Sequence, residues 1–512
     1  MSPLPLLLPF AFFFQQAPTY TVAGTLVNSV SGQPLSAAHV RLGNAMEAVT
    51  AADGRFRFTG VKQGTYVLSA ERLGFVPQSY RARTLYAQFS TGIVVGEGER
   101  TEEIQFRMIP SAVIFGTVSD ALGEPLARTK VYAMRVLGKG QYRRSAQIVN
   151  VSTDDRGEYR IASLAAGSYA IIAGGEGSAR PTAAENMAYP ETYFPGTANA
   201  DKAEFLRVEA GKEVRADVTL RPAPVLRILG EGPATMAGKP MLVTLAAPSL
   251  LGKATVMRSA VVFDSRFTFT DVPAGRYTIF VTDQQSNRIV GKLRTTAETD
   301  PTQVRVDQPL PQVSIRVALR GKPANQTQAV LAGLRSVQLN QTWNAALDSN
   351  GFAQVVNATS GRYEVVVNQG GDLPVTSLKV NGVPQPSVLV DIPDTGPVAI
   401  EVAADADALN LRGRVVRGDV PQSGIIVMLV QRSGWEQTGS YRFDQSDSNG
   451  TFQWARVPRG DYFMFAFEDG DPTDYDDPET IRTLLPIAQP LTVTGETSQK
   501  VELKVLSLPV AK

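Results

Sequence analysis

The sequence predicts an all-β chain, built as a tandem array of about five β-sandwich modules. Three observations predict it. One short pattern recurs five times in a fixed register. Turn signals fall roughly every 8–12 residues between short alternating segments, the spacing of a two-sheet sandwich. No stretch reads as a strong amphipathic helix of useful length.

The recurring pattern is a Gly, a second Gly ten residues later, and a Tyr two further on. Gly54–Gly64–Tyr66, Gly157–Gly167–Tyr169, Gly351–Gly361–Tyr363 and Gly450–Gly460–Tyr462 keep that register. In the third copy Ser265 replaces the first Gly, while Gly275 and Tyr277 stay in place. Successive copies lie 103, 108, 86 and 99 residues apart. Self-similarity of this kind identifies a repeated structural unit.

An Asp or Asn beside the first Gly marks a turn, because its side chain bonds back to its own backbone and Gly supplies positive φ. Phe56 and Phe58 alternate with Arg55 and Arg57, a strand with one buried face. Val61, Leu164, Val272 and Val457 plug the following loop. The second Gly reverses the chain, and the Tyr opens the next strand. The Tyr reads as a corner residue whose ring packs while its hydroxyl caps a loop carbonyl.

Upstream of each motif comes strand, Gly/Pro turn and strand, as in TVAGTLVNSVSGQPLSAAHVRL and VIFGTVSDALGEPLARTKVYAM. Copies three and four keep only the outline, around Gly238-Lys239-Pro240 and Gly321-Lys322-Pro323. Pro or small polar residues place boundaries that give a leader at 1–19 and modules at 20–110, 111–224, 225–311, 312–404 and 405–512. Serial sandwiches with short Pro-containing links suggest a semi-rigid rod, with copies three and four as spacers.

Composition agrees with this reading. At 512 residues the chain exceeds a single core; roughly 100–200 residues per domain gives about three to five domains. It is 43% hydrophobic and 19% charged, which suits several packed cores and not a disordered chain. Fifty basic side chains balance 49 acidic ones, so no electrostatic footprint for nucleic acid or anionic lipid exists. There is no cysteine, which removes disulfides, thiolate catalysis and cysteine metal sites. The single histidine, His39, excludes any site that needs two imidazoles. Leu4 to Phe14 has the length of a secretory h-region, although no basic residue precedes it and Pro5 and Pro9 interrupt it. No later stretch approaches a membrane span.

The segments GTVSDALGEPLARTKVYA and TDDRGEYRIASLAAGSYAI, with their counterparts in copy one, resemble the carboxypeptidase regulatory-like domain. Copy five matches it as well. The resemblance implies Ig-like, prealbumin-like β-sandwiches and an extracytoplasmic setting in a bacterial envelope protein. It implies no reaction, because in carboxypeptidases this domain sits beside the zinc catalytic domain. Here the zinc ligands of such a domain are missing. GxSxG and GxxxxGK[ST] are also absent.

Two regions invite a functional reading. The run Glu468 to Glu479 holds seven carboxylates. Asp469, Asp471, Asp474 and Asp476 supply hard oxygens of the kind Ca²⁺ takes, but the plainer reading of the run is a solvated acidic loop at a sandwich end. No other cofactor is indicated. Tyr189, Tyr193 and Phe194, in a Pro-containing loop of copy two, and Trp435 in copy five form a candidate aromatic platform for sugar or peptide. The plainer reading folds the loop's rings back over the sandwich edge. Trp454 alternates with Phe452 and reads as core.

The resulting expectation is a non-catalytic extracytoplasmic binding or scaffolding protein. Its partner is an envelope polysaccharide, peptide or protein. The alternatives are an accessory subunit of a secreted enzyme or transporter, and a carboxylate-based hydrolase.

Overall fold

The computed structural model describes residues 18–82, 90–137, 144–175, 186–248, 250, 254–308, 310–321, 328–336, 342–355, 358–385, 387–433, 435, 441–468, 478–494 and 500–505. They form five β-sandwiches on one strand plan. In the first, Thr19–Asn28 lies at the centre of one sheet, antiparallel to Arg55–Lys62 and parallel to Ile104–Met108. Ala112–Asp120, Ala223–Glu231, Gln312–Arg320 and Leu409–Arg417 take the same place in modules two to five. Each pairs antiparallel with its motif strand and parallel with a late strand of its module. In the facing sheet, the strand carrying or following the Tyr pairs with His39–Leu42, Lys130–Leu137, Met241–Pro248, Leu331–Ser336 or Ile426–Gln431.

The alternation predicted for the motif strand is present. Phe56, Phe58 and Val61 are buried, while Arg55 and Arg57 point to solvent. The corner reading of the Tyr also holds. Tyr66, Tyr169, Tyr277 and Tyr462 each donate to the carbonyl four residues back, at 2.9, 2.8, 2.6 and 2.8 Å. Tyr363 instead places its hydroxyl against the Thr359 amide and hydroxyl. Burial pushes the phenols of Tyr277 and Tyr462 up to about 12.

Modules three and four are full sandwiches like the others, and the drift of copy four has a packing reason. In modules one, two, three and five a first-strand Gly faces an aromatic residue across the ladder: Gly24–Phe56, Gly116–Tyr159, Gly230–Phe267 and Gly413–Phe452. A Cβ on Gly230 or Gly413 would meet the opposite ring at 2.1 or 2.3 Å. In module four the same pair is Ile315–Ala353. The bulk has moved to the other strand, so the layer stays filled.

A β-bulge beside this pair recurs in modules one, two, three and five, where the first strand shifts register. The extra motif-strand residue takes positive φ: Gly60, Ser163, Asp271 and Arg456. Only one of the four is Gly, so the bulge has no constant sequence mark.

Each module has its own core.

Adjacent modules meet through polar contacts and, between modules two and three, through Leu250 packed with Met134, Val136 and Tyr193. Met187–Ala188 of module two pairs with the start of Ala223–Glu231 in module three. Lys292 of module three donates to the carbonyl and hydroxyl of Ser360 in module four. Arg456 of module five donates to the Asp372 carbonyl of module four at 2.7 Å. Module one also docks on module five, so the expected rod gives way to a closed array. Among the described residues the one α-helix is Pro478–Leu484, which buries Ile481 and Leu484 beside Phe465 and Phe467. No helix among them is long and apolar enough to cross a membrane.

Candidate functional site: the fifth module and its two neighbours

The motif turn of module five, Asp447-Ser448-Asn449-Gly450, lies against an edge of module one. The Gly92 amide donates to Asp447 Oδ1 at 3.1 Å, and the Ser448 amide donates to the Gly92 carbonyl at 2.8 Å. The Val94 amide donates to Ser448 Oγ at 2.9 Å. Beside the turn, Gln445 Nε2 reaches the Arg81 carbonyl and Thr91 Oγ1 at 2.6 and 2.9 Å. Arg81 returns the contact through Ser423 Oγ at 2.7 Å. Thr91 and Gln445 are buried.

Two glycines let the backbones approach this closely. A Cβ on Gly92 would stand 2.6 Å from Asp447 Oδ1, and one on Gly424 would stand 2.9 Å from Arg81 Cδ. Burial pushes the Asp447 carboxyl up to about 6, against the Gly92 amide and with the Asp444 carboxylate adding to the rise. Burial also raises Asp444, which accepts from the amides of Gln453 and Gln445.

On its other side module five forms a cleft of about 480 Å³ with module four. Residues 364–367 and 372–378 make one wall. Gln431, Ser433, Tyr441, Arg442 and Arg456 make the other. The wall's acids are already paired: Arg335 donates to Glu364 and to Asp372, both at 2.9 Å. Arg335 and the Asn368 amide outweigh burial and hold Asp372 below the usual carboxylate range. Arg442 is different. Its guanidinium is half-buried and donates to the Ala455 carbonyl at 3.4 Å. No carboxylate among the described residues pairs with it, and burial pushes it below the ordinary guanidinium value.

The residues singled out in the sequence lie elsewhere. Tyr189 and Tyr193 are 5% and 3% exposed; the first ring belongs to the core of module two and the second to a cluster that module two shares with Leu250 of module three. Phe194 is half-buried against the core of module two. These rings cover the sandwich and do not form an open platform. Trp435 is half-buried beside Phe443 and Phe463, with the Arg482 guanidinium over its ring at 5.6 Å. Asp469, Asp471, Asp474 and Asp476 lie outside the described residues; their flanking acids Glu468 and Glu479 pair with Arg417 and Arg482. Among the described residues no group of three His, Cys, Asp or Glu could hold a metal. His39 is exposed at the start of His39–Leu42, with Nδ1 2.8 Å from Glu47.

The sequence reading missed Asp447, Gly92 and Arg442. Gly92 carries no motif, and Arg442 is one basic residue among 50 Lys and Arg. Asp447 sits inside the recurring turn, where nothing local sets it apart.

Comparison with known proteins bears on the first module. Residues 21–108 match the family model described as the carboxypeptidase regulatory-like domain. No curated protein matches the chain. Among solved structures, the chain is similar to a Streptococcal ancillary pilin at 11% identity, covering 57% of this chain and 99% of that one, with a TM-score of 0.21. It is similar to the Bacillus anthracis TIE protein at 10% identity, covering 76% and 68%, with a TM-score of 0.17. It is also similar to GBS52, the minor pilin of Streptococcus agalactiae, at 14% identity, covering 40% and 97%, with a TM-score of 0.22. Scores this low carry no argument about arrangement or activity.

Proposed function

We propose that this chain is a non-catalytic scaffold of the bacterial cell envelope. In this reading its five sandwiches form a closed array that presents loops and inter-module clefts to a partner. The observation that carries the reading is the docking of module one on module five. A polar, glycine-dependent contact between modules some 350 residues apart fixes how the array is arranged, and that is the task of a scaffold. The carboxylates best placed for the hydrolase alternative are Asp444 and Asp447, but both already accept backbone amides. The first module, which matches the carboxypeptidase regulatory-like domain, supports the non-catalytic reading, since that domain accompanies catalytic domains without catalysing.

Cell fractionation, followed by a panel of glycan, ester and peptide substrates offered to the purified protein, tests the proposal. The expected result is protein in the envelope or medium and saturable binding without turnover. Turnover of any substrate, lost in Asp444→Asn or Asp447→Asn, would overturn it.

A further inference from the structure

We propose that the cleft between modules four and five binds an acidic saccharide, with Arg442 receiving a uronate carboxylate. The inference rests on reading the chain as a binding scaffold, but it does not depend on the docking of module one. Glu364 and Asp372 are the acids of the cleft, and Arg335 clamps both. Arg442 and Arg456 remain, so the site carries an excess of positive charge. Arg456 is held by the Asp372 carbonyl, which leaves Arg442 as the guanidinium with donors to offer.

A planar guanidinium suits a carboxylate, which it can engage through two parallel hydrogen bonds. A half-buried cation with one long carbonyl contact is also a poor resting arrangement, and an anionic ligand improves it. The volume lies within the roughly 300–1,000 Å³ of small-molecule sites.

The rest of the lining favours sugar over peptide. Thr376, Ser377, Gln385, Ser387, Gln431 and Ser433 offer hydroxyls and amides that match sugar hydroxyls.

Titration calorimetry of the full chain at low salt, with trigalacturonate, maltotriose and triglutamate as probes, tests the assignment. The expected result is that trigalacturonate binds, and that maltotriose and triglutamate bind about tenfold more weakly or worse. Arg442→Gln should weaken trigalacturonate by about ten- to hundredfold, the range expected for hydrogen bonds to a charged group. Gln385→Glu adds a negative charge at the exposed rim with almost no change of shape, and it should weaken the same probe even if Arg442→Gln folds poorly. Absence of trigalacturonate binding, equal binding of maltotriose, or unchanged binding in both variants would overturn the proposal. Tighter binding of triglutamate would reassign the cleft to acidic peptide. Saturable binding by some other ligand would leave the scaffold reading standing while this inference failed.

Discussion

The carboxylate of Asp447 accepts a hydrogen bond from the amide of Gly92, 355 residues away, at 3.1 Å. Asp348, in the same tetrapeptide Asp-Ser-Asn-Gly of module four, turns its carboxylate onto its own loop. It accepts from the amides of Asn350 and Phe352 at 2.8 and 2.9 Å. One tetrapeptide thus serves two purposes. In module four the turn is exposed and caps itself. In module five it is half-buried and its Asp reaches another module.

Gly92→Ala should open the array. The added methyl would stand 2.6 Å from Asp447 Oδ1 and 2.7 Å from Thr65 Cγ2, and neither neighbour is the end of a long flexible chain. Crowding of this order costs about 1–3 kcal/mol, comparable with the net worth of a few polar contacts. Small-angle scattering should report a larger radius of gyration, while the melting of modules two to four stays unchanged. An unchanged radius would count against the contact.

Closure should also depend on pH. Burial raises Asp447 to about 6 from its ordinary 3.8, and Asp444 shifts in the same direction. The closed form therefore holds the Asp447 proton more tightly than an open form in which the carboxyl is solvated. Closure is strongest below the ordinary value and weakens as pH rises through about 6, by on the order of 2 kcal/mol at neutral pH. Asp447→Asn keeps an acceptor oxygen and cannot titrate. Scattering at pH 5 and pH 7.5 should differ for the parent chain and differ less for the variant.

The Gly–aromatic layer predicts a compensating pair. Gly230→Ile alone would force its side chain into the Phe267 ring, and Phe267→Ala alone would leave a cavity costing about 3–5 kcal/mol. The double variant rebuilds the Ile315–Ala353 arrangement of module four. It should be more stable than the sum of the single changes by about 1 kcal/mol or more, read from denaturant unfolding. Strict additivity would contradict the packing account.

The corner hydroxyls should differ in worth. Tyr169 is fully buried and donates to the Ala165 carbonyl. Tyr169→Phe strands that acceptor and should cost about 1–3 kcal/mol. Tyr66 is half-exposed, so water can replace its hydroxyl, and Tyr66→Phe should cost clearly less. Thermal unfolding of the two variants side by side decides it.

These contrasts show which features a sequence carries. The motif turn, the alternating strand and the corner Tyr are local, so Gly54, Phe56 and Tyr66 announced them. The exchange of Gly and aromatic for Ile and Ala is legible only once the ladder pairs Ile315 with Ala353. Before that, copy four looks merely degraded. The bulge escaped because Ser163, Asp271 and Arg456 hold the positive φ that Gly60 holds in module one. The inward turn of Tyr193 agrees with the plainer reading of its loop, in which the rings fold back over the sandwich edge. The docking of modules one and five was invisible, since Asp348 and Asp447 sit in identical tetrapeptides and only the distant Gly92 distinguishes them.

The distance between modules one and five tests the account most directly. The chain has no cysteine, so cysteines at the exposed positions Glu97 and Asp419 can carry spin labels uniquely. Dipolar spectroscopy should give one separation within about a module length, roughly 33 Å for a ten-residue strand, lengthened by Gly92→Ala. An open row would put the labels roughly 100 Å or more apart. A trace without dipolar modulation in the parent chain would contradict the closed array.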